Sequence, residues 1–331
     1  MRYTTFGRTG LRVSELVLGA MTFGEQGGVG APVEECRRIL DAYADAGGNT
    51  VDTAVNYRGG ASEEILGELL AGRRDRFVVA TKYTVTRDAT DPNGGGNHRK
   101  NLRLSLETSL RRLRTDHVDV YWVHIWDRHT PIEETMRALD DAVTAGKVLY
   151  VGVSDTPAWV VSRANTLAEW RGWTPFAGLQ VPYSLVNRDA ERELLPMADA
   201  YGLTVTAWSP LGGGVLSGKY NAGAPATRSR LSRDAISDRD LGVAQAVGAV
   251  AGELGVTPAQ VALAWTRRRD GVLPIVGART VEQLRDNLGC TEVTLPPELV
   301  TRLEAATGFT PGFPADFIDQ TRSWVLGAAA V

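Results

Sequence analysis

Eight short apolar runs, each followed by a polar or amphipathic stretch, constrain this chain more than any other feature. They fall at 16–20, 49–53, 77–82, 118–124, 148–154, 177–181, 203–208 and 272–276. The runs are near-continuous in Val, Leu and Ala rather than alternating, the pattern of strands covered on both faces. Helical spacing between them is predicted at 33–46, 62–71, 99–114, 131–145 and 190–201. In the third of these, Leu102, Leu106, Leu110 and Leu113 share one face, opposite Arg and Glu. Ser62, followed by Glu63 and Glu64, reads as an N-cap with an acidic first turn. Strands alternating with helices imply a parallel sheet, open and doubly wound or closed into a barrel. The first run leads into Leu18-Gly19-Ala20-Met21-Thr22-Phe23-Gly24, which lacks the G-x-G-x-x-G spacing and the helix directly behind it. The expectation is therefore an α/β fold of the (β/α)8 TIM-barrel kind, with long loops after strands three and seven.

At 331 residues the whole chain fits one such barrel with insertions. Residues 1–14 read as a β-hairpin across Gly7-Arg8-Thr9-Gly10 that plugs the barrel's N-terminal end, and 296–331 as a terminal helix and tail. Three segments exceed a bare connection: 84–97, 209–238 and 309–331. All three are expected over the C-terminal mouth, where barrel enzymes place their chemistry. A hydrophobic content of 43% with 23% charged residues suits an ordinary core. The net charge of −3 provides no field for nucleic acid or anionic lipid. Cys36 and Cys290 are the two cysteines, expected as small buried hydrophobes; two alone make neither a disulfide framework nor a metal cluster. No signal-like or membrane-length apolar run occurs, so the expected location is cytoplasmic.

Asp52, Lys82 and His124 each end an apolar run, so a barrel gathers all three at one mouth, with Tyr57 on the loop just beyond. Lysine is rare here: Lys82, Lys100, Lys147 and Lys219 are the only four. The four mouth groups make an acid–base unit. Asp52 holds Lys82 charged, and a nearby ammonium makes a phenol a stronger acid than its usual pKa of about 10 implies. Tyr57 can then give a proton to a nascent alkoxide. His124 orients and polarises a carbonyl oxygen.

With these residues the chain resembles the aldo-keto reductase family over nearly its full length. The matching stretches include Gly10-Leu11-Arg12-Val13-Ser14, Asp52-Thr53-Ala54 through Tyr57, Ala80-Thr81-Lys82 and Val118-Asp119-Val120-Tyr121 to Asp127. They continue with Gly152-Val153-Ser154, Gln180-Val181-Pro182-Tyr183, Trp208 through Gly214 and Gly218-Lys219-Tyr220, and Gly277-Ala278-Arg279 with Gln283 and Asn287. The resemblance implies a tetrad of Asp52, Tyr57, Lys82 and His124 with NADPH across the mouth. It implies Ser154, Asp155 and Gln180 on the carboxamide, with Met21 and Asp52 also on the cofactor and Trp208 stacked on the nicotinamide. Ser209, Pro210, Leu211, Gly212, Gly213 and Lys219 would cover the pyrophosphate. Gly277, Arg279, Gln283, Asp286 and Asn287 would hold the adenosine 2′-phosphate and adenine. Glycines let backbone approach a phosphate, and an Arg can fork onto one.

Three positions depart from the family pattern. Asp155 stands where many relatives carry Asn, and a carboxylate accepts from a carboxamide nitrogen but cannot donate to its oxygen. Trp208 replaces the Tyr of small-aldehyde reductases, as in the potassium-channel β-subunit branch. Asp286 is shorter than the usual Glu. The resemblance implies NADPH-dependent reduction of an aldehyde or ketone, with a small-molecule carbonyl as the partner, no nucleic acid and no membrane. The alternative is an NADPH-binding redox-sensing subunit with slow turnover. Substrate walls are expected at Phe23, Tyr83 and Trp126 and in the long loops.

Overall fold

A computed structural model describes residues 1–28, 30–220 and 232–327. The eight apolar runs are its eight barrel strands, with ends that differ from the sequence expectation by no more than a residue. An antiparallel pair precedes them, β1 (Tyr3–Thr5) and β2 (Arg12–Ser14). The barrel strands are β3 (Val17–Gly19), β4 (Thr50–Asp52), β5 (Val78–Tyr83), β6 (Val118–Val123), β7 (Val148–Ser154), β8 (Phe176–Pro182), β9 (Thr204–Trp208) and β10 (Val272–Gly277). They pair in parallel and in chain order, and β10 closes the ring on β3 through Ile275–Val17, Val276–Leu18 and Gly277–Gly19.

The hairpin seals the N-terminal end. Phe6, just beyond β1, points into the barrel and meets the edge of Trp122 of β6 at 6.1 Å. Val13, Val17, Val78, Ala80, Val120, Ala177 and Leu273 complete this inner cluster. Two indole- and phenyl-sized groups fit because β8 carries Gly178: a Cβ there would lie 2.4 Å from Phe6 Cζ and 2.8 Å from Trp122 Cη2. The barrel interior is thus filled from below and left open above.

Outside, helices cover the sheet. Arg99–Leu113 buries Leu102, Leu106, Leu110 and Leu113, as its spacing predicts. The helix expected over 190–201 is shorter, Leu194–Tyr201, preceded by a 3-10 turn at Asp189–Glu191. Ser62 is not a cap. The helix Ala61–Leu69 starts one residue earlier, with Gly60 in the capping place. The buried Ser62 hydroxyl instead bonds Ala20 O at 2.7 Å and Thr53 Oγ1 at 2.8 Å, pinning the helix to the mouth. Cys36 and Cys290 are both buried and free. No single helix among the described residues is long and apolar enough to cross a membrane.

The three long segments do not behave alike. The loop after β5 contributes Val85 to the mouth, and the loop after β9 contributes residues from Ser209 onward. Of the latter, 221–231 lie outside the described residues. None of the described residues of the tail lines the cavity. Phe309 is clamped by the guanidinium groups of Arg188 (4.7 Å) and Arg192 (4.8 Å), and Arg192 Nε donates to Pro311 O at 3.1 Å. These contacts hold the tail beside the Asp189–Glu191 turn, and its short helices Ala315–Gln320 and Arg322–Leu326 contribute nothing to the mouth. Residues 328–331 lie outside the described residues.

Candidate active site

The C-terminal strand ends open into a cavity of about 650 Å³. Asp52 ends β4 and Lys82 lies one residue before the end of β5, so parallel pairing delivers both to the same rim. Lys82 is wholly buried and forms an ion pair with Asp52. Its Nζ also donates to Thr53 O at 2.8 Å and to Tyr57 Oη at 3.1 Å. An ammonium has three hydrogens and no lone pair. All three are committed, and Tyr57 can only accept from Lys82. Its own hydroxyl hydrogen must therefore point elsewhere. Burial opposes the charge on Lys82, but Asp52 and then Tyr57 outweigh it, and the net effect raises its pKa.

The loop that carries Tyr57 is fastened from behind. Arg112, on the helix Arg99–Leu113, donates from Nη1 to Val55 O at 2.7 Å and reaches the buried Glu63 carboxylate at 3.3 Å. The guanidinium lies so close to Gly60 that a Cβ there would sit 2.3 Å from Arg112 Cζ, and Gly60 also holds φ at 105°. Glycine meets both requirements.

His124, the residue after β6, lies with its ring edge-on to Tyr57, centroids 5.8 Å apart. Its backbone N–H donates to Thr84 Oγ1 at 3.2 Å. Burial, and then the Lys82 charge, push its pKa from 6.5 down to about 3. The imidazole is therefore neutral near pH 7. Nδ1 is buried without a hydrogen-bond partner among the described residues. A lone pair on Nδ1 with the hydrogen on Nε2 is the less costly tautomer, and it turns the ring's one donor toward the cavity.

Next to this group lie Ser154, Asp155, Gln180 and Trp208, all on the cavity wall. Gln180 Nε2 is already engaged by Asp52 Oδ1 (3.1 Å) and Thr206 Oγ1 (3.2 Å), so only its oxygen is available to a ligand. Ser154 Oγ is buried with no partner among the described residues. Asp155 takes a left-handed backbone (φ 43°) and accepts from Trp208 Nε1 at 3.1 Å. Burial raises the Asp155 pKa, with Trp208 and Lys82 opposing.

The cavity's far end is cationic. Met21, Ser209, Pro210, Leu211, Gly213, Lys219, Gly277, Arg279, Gln283, Asp286 and Asn287 all line the cavity. Gly212 does not; the adjacent Gly213 and Gly214 do. Gln283 Oε1 accepts from Arg279 N at 3.0 Å, which anchors the backbone of Arg279 and leaves its guanidinium half-buried at the rim. The Asp286 carboxylate is held by Gln260 Nε2 (3.1 Å) and Thr257 Oγ1 (3.3 Å).

The expected substrate walls need correction. Phe23 is completely buried in the outer core. Tyr83 also has no exposed surface, stacks on Tyr121 at 5.3 Å and donates to Asn97 O at 3.3 Å. Strand side chains alternate, so Lys82 pointing in places Tyr83 outward under the helices. Trp126 is half-buried, edge-on to Trp159 at 5.8 Å, and is not among the residues lining the cavity. The residues that do line this end are Asn56, Val85 and Ile125, which sequence reasoning passed over. Asn56, the neighbour of Tyr57, was the most legible of them. Ala259 and Leu263 were also missed, although their helix Pro258–Arg267 carries a readable capping box, Thr257 with Gln260.

The model of the Aldo/keto reductase family matches residues 15–307. The chain belongs to the aldo/keto reductase family. It is 40% identical over 328 residues to norsolorinic acid reductase of Emericella nidulans, covering 93% of this chain and 82% of that one. It is 39% identical to an aryl-alcohol dehydrogenase of Pestalotiopsis microspora, with 93% and 82% covered. It is 38% identical to aryl-alcohol dehydrogenase [NADP(+)] of Phanerodontia chrysosporium, with 92% and 85% covered. As an aldo/keto reductase it is an oxidoreductase of the kind that uses a nicotinamide cofactor. The cavity suits one: an unpartnered buried hydroxyl and an indole face at the end near Tyr57, and cations with a glycine-rich wall at the other.

Proposed function

We propose that the protein interconverts an aldehyde or ketone with its alcohol, using NADP(H), with Tyr57 as the proton donor in reduction. The observation that carries this reading is the saturation of Lys82, which forces the Tyr57 hydroxyl hydrogen away from the ammonium. When bound, the reduced nicotinamide supplies a hydride to the carbonyl carbon. Nε2–H of the neutral His124 donates to the carbonyl oxygen and orients it. Tyr57 gives its proton to that oxygen, and the adjacent ammonium faces the negative charge the phenolate then carries. Asp52, tied to Lys82 and Gln180, holds the ammonium in place. Ser154 Oγ and the Gln180 oxygen would take the carboxamide, Trp208 the ring, the 209–214 backbone and Lys219 the pyrophosphate, and Arg279 the 2′-phosphate.

The relatives named for aryl alcohols, and an apolar rim of Met21, Val85 and Ile125, support an aromatic carbonyl as substrate. The test is NADPH oxidation with a panel of aromatic aldehydes and ketones, run on wild type and Tyr57→Phe. Tyr57→Phe should lose turnover by at least ~10²-fold, the usual worth of a positioned acid, while still binding NADPH. Near-normal turnover in that variant would sink the mechanism. Wild-type protein that oxidises its bound cofactor once, without recycling, would favour the redox-sensing subunit.

A further inference from the structure

The cavity contains three carboxylates, and two of them are accounted for. Asp52 is paired with Lys82, and Asp286 accepts from Gln260 and Thr257. Asp155 is different. Its side chain accepts only the neutral indole N–H of Trp208, and among the described residues no cation pairs with it. Its backbone is fully used: its N–H donates to Gln180 O at 3.3 Å and its carbonyl accepts from Trp126 N at 3.4 Å. The chain thus holds a half-buried carboxylate, with no cation paired to it among the described residues, in the wall of the cavity beside Trp208. A partly desolvated carboxylate without a cation carries a cost, and such a cost persists where a ligand offsets it.

Chemistry at this end changes the ligand's charge. The ring of a nicotinamide is neutral when reduced and cationic when oxidised, so a fixed carboxylate beside it attracts one form and not the other. Lys82 opposes this effect only in part, because Asp52 is paired with it. We propose that Asp155 is a specificity-determining residue for the cofactor's redox state: it favours NADP+ over NADPH and so biases the equilibrium on the protein toward hydride transfer to the carbonyl, with NADP+ and alcohol as the favoured side. This inference rests on the functional reading above. It gives the chain a direction that the tetrad, which serves both, does not.

The test is a pair of fluorescence titrations, NADP+ and NADPH, on wild type, Asp155→Asn and Asp155→Glu. Asn keeps an oxygen for Trp208 but removes the charge; Glu keeps the charge. Expected is an about tenfold rise in the ratio Kd(NADP+)/Kd(NADPH) in the Asn variant, the effect of a modest charge–charge attraction, with the Glu variant near wild type. An equal change for both nucleotides in Asp155→Asn, or a ratio that also rises in Asp155→Glu, would overturn the proposal. A ratio is unaffected by a loss of folded fraction, so a destabilised variant still reports. Wild-type protein that binds neither nucleotide would overturn the functional reading and this inference together, which no outcome among the variants mimics.

Discussion

His124 shows how one position sets both chemistry and stability. Its pKa of about 3 in the folded protein lies below the 6.5 of an exposed imidazole, first through burial and then through the Lys82 charge. Between those values the unfolded chain takes a proton at this residue that the folded one refuses, so acidification from about pH 6.5 toward pH 3 costs folding stability. A His124→Asn variant should lose less stability than wild type between pH 7 and pH 5, read by denaturant unfolding at both. Equal losses would mean that the ring is not held neutral. Reduction should likewise show no inflection from His124 near pH 6.5. The run from Asp52 to His124 made these groups legible as residue types, but not their protonation. Nothing in the order of residues shows that Lys82 spends three hydrogens on Asp52, Thr53 and Tyr57, or that Gln180 is half occupied by Asp52.

Elements carry the positioning. The alternation of β5 decides that Lys82 serves the cavity and Tyr83 the core, and ignoring it led to the wrong expectation for Tyr83. The hairpin acts through Phe6, which needs Gly178 as much as it needs its own ring. Gly178→Ala should destabilise the protein by ~1–3 kcal/mol, the cost of overpacking a filled core, with little change in KM, because the clash is at the closed end of the barrel. Denaturant unfolding with steady-state kinetics separates the two effects. A variant as stable as wild type would show that the plug has room to shift. Helix starts were read less well than strands. Ser62 carries a capping residue's chemistry, but its hydroxyl is used by Ala20 and Thr53, a choice made by packing rather than by propensity.

At the scale of the whole molecule, the cavity joins both ends of the chain: β3 pairs with β10, and Met21 and Arg279 share one wall. A ligand that spans it stabilises the closed barrel as a unit, by about 2.7 kcal/mol at a hundredfold excess over Kd. NADPH should therefore raise Tm more than NADH at equal concentration. Arg279→Ala should make the two shifts alike, because only the first nucleotide carries the phosphate assigned to that guanidinium. A difference that survives the substitution would remove the assignment. The barrel itself was legible from the sequence because eight apolar runs at regular separation leave few ways to bury both faces of a sheet, and the strand-end residues followed from parallel pairing. Substrate walls and the path of the tail were not, because Phe23, Trp126 and the tail aromatics are equally good as core, rim or surface. Sequence by itself determined the fold and the four groups at the mouth, since periodicity and strand ends are local facts, and its motif stretches carried the family resemblance. Only the tertiary structure decided which hydrogens remain free, which aromatics face the cavity and which cavity carboxylate has no cation paired with it among the described residues, since those depend on what lies across the barrel.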